Sequence, residues 1–175
     1  MTERHPDAID AIVDAWAAER PDLDLEALPT IGRLSRFAGL VQVRLDAVFA
    51  QHGLQGWEFD VLSALRRAGA PYELKPGELD RALLISSGTT THRVTRLEAR
   101  GLVTRARDDS DRRVVRVRLT REGRALQEAA HRDHAANGSR ILSGLTRDER
   151  AALLTGLVAL GRTLGDAEGM PTASH

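Results

Sequence analysis

With 175 residues, 42% of them hydrophobic and 29% charged, the chain has the length of one ordinary domain and enough apolar residues for a core, which excludes a disordered polypeptide. It lacks cysteine, so disulfides and thiolate metal sites are excluded, and it has no apolar run long enough for a membrane-spanning helix. The formal net charge is zero, but residues 1–30 carry eight acids against two arginines, while residues 86–118 carry nine arginines against four acids. A local cationic segment points toward nucleic acid; the alternative is a solvated face balanced elsewhere.

The acidic start, Met1 to Asp14, lacks the basic-then-apolar order of a signal peptide. Pro6 to Ala18 reads as a short helix, with Ile9, Ile12, Val13 and Trp16 at helical spacing. A long helix is predicted from about Pro29 to His52, where Ile31, Leu34, Ala38, Val41, Leu45 and Val48 form one stripe and Gly53 supplies a stop. Gly56 to Arg67 is the next helix, with Phe59, Leu62 and Leu65 inward. Pro76 to Leu84 is a short helix with proline in its first turn, and Ser86 and Ser87 can cap the helix that runs on to about Arg100.

The period then changes. Leu102 to Ala106 and Val114 to Leu119 read as two strands, joined by the charged stretch Arg107 to Arg113 in a wide hairpin. A further helix is expected from Thr120 to about Leu142. Thr146 and Glu149 form a capping box before a last helix carrying Leu153, Leu157, Leu160 and Leu164, and the tail from Asp166 is expected to be disordered.

Helix, short helix, helix, hairpin is the order of a winged helix-turn-helix, so the fold class is mainly α with a small β-hairpin wing. In that arrangement the second helix of the pair enters the major groove, which admits one helix. The helix over Ser87 to Arg100 would turn Thr90, Val94 and Leu97 inward and Thr89, His92, Arg96 and Arg100 outward. Hydroxyls at its start, on Ser87, Thr89 and Thr90, suit phosphate and base edges, and arginine suits guanine. A surface helix with scattered polar residues is the alternative reading of the same stretch.

The segment from Leu97 to Gly123, L-E-A-R-G-L-V-T-R-A-R-D-D-S-D-R-R-V-V-R-V-R-L-T-R-E-G, resembles the wing region of the MarR family of transcriptional regulators. With Phe59 to Leu65 and Pro76 to Leu83 the resemblance is dense and ungapped. It implies a homodimer whose terminal helices interlock and whose two lobes bind a pseudo-palindromic site on double-stranded DNA, more often as a repressor. It implies that Arg113 reaches the minor groove from the wing, that Arg112 contacts phosphate, that Arg107 belongs to the same cationic edge, and that Asp111 orders the wing. Lys75 departs from the pattern, since many relatives have a capping Thr or Ser there. The implied organisation is an extra N-terminal helix over 1–20, a dimerisation helix over 21–52, the DNA-binding domain over 53–119, C-terminal dimerisation helices over 120–165 and the tail over 166–175. The implied location is the cytoplasm, at the nucleoid, with no membrane partner.

The extra N-terminal helix, with W-A-A-E-R-P-D-L-D-L followed by I-G-R-L-S-R, is similar to the urate-responsive, PecS-like branch of that family. The resemblance implies no cofactor but a small anionic effector held by Trp16, Asp60, Arg93 and Arg105. An indole can stack on a planar anion, guanidinium groups bind its oxygens through paired donors, and a carboxylate accepts a ligand N–H. Aspartate suits a purine N–H better than a polycarboxylate, which favours urate or a related purine; a citrate- or aconitate-type acid or a phenolic anion is the alternative. Each position also has a plainer reading: Trp16 as a core anchor, Asp60 as an acid near a helix N-terminus, and Arg93 and Arg105 as phosphate contacts.

Two other classes of protein compete with this reading. His131 and His134 stand three apart, as metal ligands can, but no third ligand is evident and surface histidines are expected. No phosphate-binding, dinucleotide-binding or nucleophile-elbow motif is present, so an enzyme is not expected. An interaction module that uses the same fold without DNA is the other rival, favoured by the zero net charge and opposed by the arginine-rich wing.

Overall fold

Several helices in this chain start where a side chain offers an acceptor to the free N–H groups of the first turn. In the computed structural model, which describes residues 6–107 and 114–165, residues 1–44 and 45–175 form two compact units. The turn of the wing and the C-terminal tail lie outside the described residues.

In the first unit, α1 (Ala8–Glu19) is capped by Asp7, whose carboxylate accepts from the backbone of Ile9 and Asp10, while Asp10 accepts from the backbone of Asp7. Arg33, on α2 (Leu28–Gln51), pairs with both acids, at 2.9 Å from Asp7 and 2.8 Å from Asp10. Ile9 is buried against Gly32, where an added Cβ would stand 3.2 Å from the isoleucine Cγ2. Of the four apolar residues expected on the inner face of α1, Ile9 is the one that the single chain buries; Ile12 and Trp16 are each 47% exposed. The α2 stripe is also uncovered over Ile31, Leu34 and Val41, and Phe37 beside it is exposed as well.

The second unit holds the main core. Gly53, at φ +63°, ends α2 in the left-handed region, as its position after the apolar stripe predicts. Then follow α3 (Gly56–Arg67), β1 (Glu73–Leu74), α4 (Pro76–Leu83), α5 (Ser87–Ala99), β2 (Val103–Arg107), β3 (Val115–Leu119), α6 (Arg121–Ile141) and α7 (Arg147–Thr163). Leu62, Leu65, Leu79, Leu97 and Val117 are fully buried, so α3, α4, α5 and the sheet converge on one centre. Ser86 caps α5, Thr120 caps α6, and Thr146 with Glu149 forms the predicted capping box of α7. At α4, where Lys75 replaces a capping hydroxyl, the Glu78 carboxylate accepts from the Lys75 N–H at 2.7 Å and supplies part of the cap.

The two predicted wing strands are antiparallel, with Val103 opposite Leu119 and Arg107 opposite Val115. The structure adds β1, which pairs with β3 and completes a sheet of order β1-β3-β2. Two residues carry no readable alternation, so this strand was not predicted. Its Glu73 binds Arg118 at 2.6 Å and lies 3.6 Å from Arg116, tying the outer strand to the wing.

Candidate nucleic-acid interface

The DNA-reading candidate is α5, and its own sequence sets which way it faces. Thr90, Val94 and Leu97 are buried at 1%, 2% and 0% exposure, which fixes the opposite face outward. Thr89, His92 and Arg96 lie on that outward, exposed side, and Ser87, on the stripe of Thr90 and Val94, is exposed because it stands at the first position of the helix. Ser86 holds the start of the helix, its hydroxyl accepting from Thr89 N–H and lying 2.9 Å from the Thr89 hydroxyl. Between α4 and α5, Leu84 takes φ +53° and Ile85 N–H donates to Asp80, a tight turn of the kind a helix-turn-helix needs.

Two of the proposed DNA contacts are engaged within the protein itself. Thr90 is a core residue, its side chain directed away from any ligand on the outer face. Arg100 donates to Glu58 at 2.7 Å and to the Gly53 carbonyl at 3.0 Å. Glu58 is buried, so the guanidinium neutralises an acid that could not otherwise be held there, and Arg100 anchors the end of α5 to the start of α3. Arg107 is exposed at the end of β2. Asp111, Arg112 and Arg113 lie outside the described residues.

The effector candidates divide. Arg93 is half-buried on α5, with its guanidinium 5.6 Å from the centre of the Trp57 ring. Asp60 stands one turn along α3 from Trp57, and Arg93, ahead of Arg67 and His134, acts to lower its pKa. Desolvation by the surrounding protein outweighs those charges and holds the Asp60 carboxyl above the ordinary carboxylate range, although part of the residue's surface is open to solvent. Asp60 thus lies within electrostatic reach of Arg93. Arg105 is engaged elsewhere: it forms a short ion pair with Glu98 and donates to Thr91 O at 3.3 Å and Thr95 Oγ1 at 2.8 Å, binding β2 to α5. These bonds use three of the five N–H donors of the guanidinium, so Arg105 ties the wing strand to the helix and keeps donors to spare. Trp16 is half-exposed on α1.

Of the histidine pair, His131 is exposed, as expected, and His134 is partly covered. His134 is half-buried, stacks on Phe49 at 5.4 Å and lies tilted against Phe59 at 5.3 Å, and His131 stacks on Phe59 at 6.1 Å. Among the described residues no group of three His, Asp or Glu side chains is placed to hold a metal ion, and no helix is long and apolar enough to cross a membrane. Trp57 escaped the sequence reading. An aromatic residue two positions into a helix reads as core, and nothing in the pattern shows that two arginines more than thirty positions later lie over it.

Comparison with known proteins bears on the whole arrangement. Residues 52–114 match the model of the MarR family. The chain is 43% identical to the transcriptional regulator PecS of Dickeya dadantii over 142 residues, 81% of this chain and 86% of that protein. A cysteine variant of MarR from E. coli, solved in complex with operator DNA, is 28% identical with a TM-score of 0.66 and covers 79% of this chain and 99% of its own. An organohalide-sensing regulator solved with 2,4-dichlorophenol shares the fold, with a TM-score of 0.68 at 18% identity, over 93% of this chain and 88% of its own. These relatives are regulators and not enzymes. The chain belongs to the MarR family of DNA-binding transcriptional regulators and, within it, is similar to PecS.

Proposed function

We propose that the chain is a repressor that binds a pseudo-palindromic operator as a homodimer and is released by a small planar anion, urate or a related purine. In this reading Ser87, Thr89, His92 and Arg96 of α5 meet the major groove. Arg107 and the wing residues Arg112 and Arg113 meet the flanking minor groove and phosphates, with Asp111 ordering the wing. The terminal helices form the dimer.

The observation that carries the effector reading is that Arg93, which acts on Asp60, is part of the same helix as Arg96. An anion that draws Arg93 toward Asp60 therefore acts on the DNA-reading helix itself. Release requires that the anion bind the DNA-free arrangement more tightly than the DNA-bound one. A carboxyl with a raised pKa can donate to a ligand oxygen when protonated or accept a ligand N–H when ionised. A purine offers both groups, whereas a phenolate of the type bound by the organohalide sensor offers no N–H.

Arg93→Ala and Asp60→Asn test the reading by calorimetry with urate in the absence of DNA. Both substitutions are expected to weaken urate binding about tenfold or more, since each removes a charge-assisted bond. Urate binding unchanged in both variants would contradict the site. Binding of 2,4-dichlorophenol or citrate in preference to urate would replace the effector and keep the regulator.

A further inference from the structure

Trp57 occupies the second position of α3, half-buried, and its indole N–H is bound by the Gln55 side chain in a short hydrogen bond. The Gln55 N–H donates to one oxygen of Glu58 at 2.9 Å, and the other Glu58 oxygen accepts from Arg100 at 2.7 Å. The indole is therefore fixed within a bonded group that also holds the end of α5. Its ring receives the guanidinium carbon of Arg96 at 4.9 Å and that of Arg93 at 5.6 Å from the ring centre. Positions 93, 96 and 100 form one stripe of α5, and all three meet the first turn of α3 or the loop before it.

We propose that Trp57 is a positioning residue for operator recognition, holding the Arg96 guanidinium in the orientation in which it meets DNA. A guanidinium stacked on an aromatic face keeps its N–H edges free, so it can still bind a guanine edge or a phosphate. Stacking also restricts a long side chain before DNA arrives, and less conformational entropy is then lost on binding. The inference rests on the proposed role of α5 in reading the operator.

The test uses the full-length protein, a duplex selected by it from a randomised pool, and a scrambled duplex at the same salt concentration. Trp57→Leu is expected to weaken binding of the selected duplex about three- to tenfold, the size of one or two cation–π contacts, and to leave the scrambled duplex unaffected. Trp57→Phe, which keeps an aromatic face, should bind close to wild type. In an Arg96→Ala background Trp57→Leu should cause no further loss. Wild-type binding by Trp57→Leu, or an equal loss with and without Arg96, overturns the proposal. If Arg96→Ala, His92→Ala and Thr89→Ala all bind the selected duplex normally, the α5 reading itself fails, a result distinct from failure at Trp57 alone. Should Trp57→Leu not fold, Trp16→Phe leaves Trp57 as the one tryptophan. Its emission should then respond to the selected duplex, and Arg96→Ala should alter that response; an identical response with and without Arg96 overturns the proposal.

Discussion

Asp60 illustrates how a residue proposed to bind an effector can work against the stability of its own fold. Because desolvation raises its pKa, the folded protein holds the Asp60 proton more tightly than the unfolded chain does. The contribution of this group to stability is therefore fully present below the unfolded value near 3.8 and is lost as pH rises through the folded value. Asp60→Asn should melt at a higher temperature than wild type at neutral pH, with the difference vanishing in acid. Thermal unfolding followed at both pH values checks this, and an equal difference at each would show that burial of the charge is not the cause. At this scale the sequence was legible for the inward residues Thr90, Val94 and Leu97, because helical spacing decides them. It was not legible for Arg100. Arg96 and Arg100 share the outer stripe, and what distinguishes them is Glu58, 42 residues away along the chain.

The helices and wing strands follow from periodicity and capping, and their boundaries fall within a residue or two of those expected. The exception is β1, whose existence depends on pairing with β3 and not on any pattern of its own. The role of the glycine that ends the Leu97 to Gly123 segment is visible only in three dimensions. At Gly123, in the first turn of α6, an added Cβ would stand 1.9 Å from the Leu102 carbonyl oxygen, and the obstacle is backbone. The helix start therefore lies directly on the strand entrance, where Thr120 Oγ1 also donates to Gly101 O at 2.7 Å. Gly123→Ala should destabilise the fold by about 1–3 kcal/mol, the usual range for overpacking a tight contact. Urea unfolding measures it, and a variant as stable as wild type would mean that α6 is free to move away from β2.

Across the whole molecule, several apolar faces are left open by the single chain. In α7 no residue is buried, and Leu153, Leu154, Leu157 and Val158 are 45–64% exposed. Exposed apolar residues in such number mark an interaction surface, and the proposed homodimer gives them a partner. Leu154→Asp combined with Val158→Asp should convert the protein to monomer in sedimentation experiments and weaken operator binding, because two half-sites would no longer be engaged together. A dimer that persists would place the interface elsewhere. The fold class and the family were legible from the wing motif. The uneven charge was a weaker guide, since a net charge of zero is compatible with DNA binding only if the arginines gather on one side.

The most direct test of the account is a fluorescence-anisotropy titration of the selected duplex with the folded protein, with and without urate, in wild type and in Arg93→Ala. The account predicts tight binding to the selected duplex over scrambled DNA, weakened by urate in wild type and unaffected by urate in the variant. Binding no tighter to the selected duplex than to scrambled DNA at low salt, or release by urate that persists without Arg93, would contradict it.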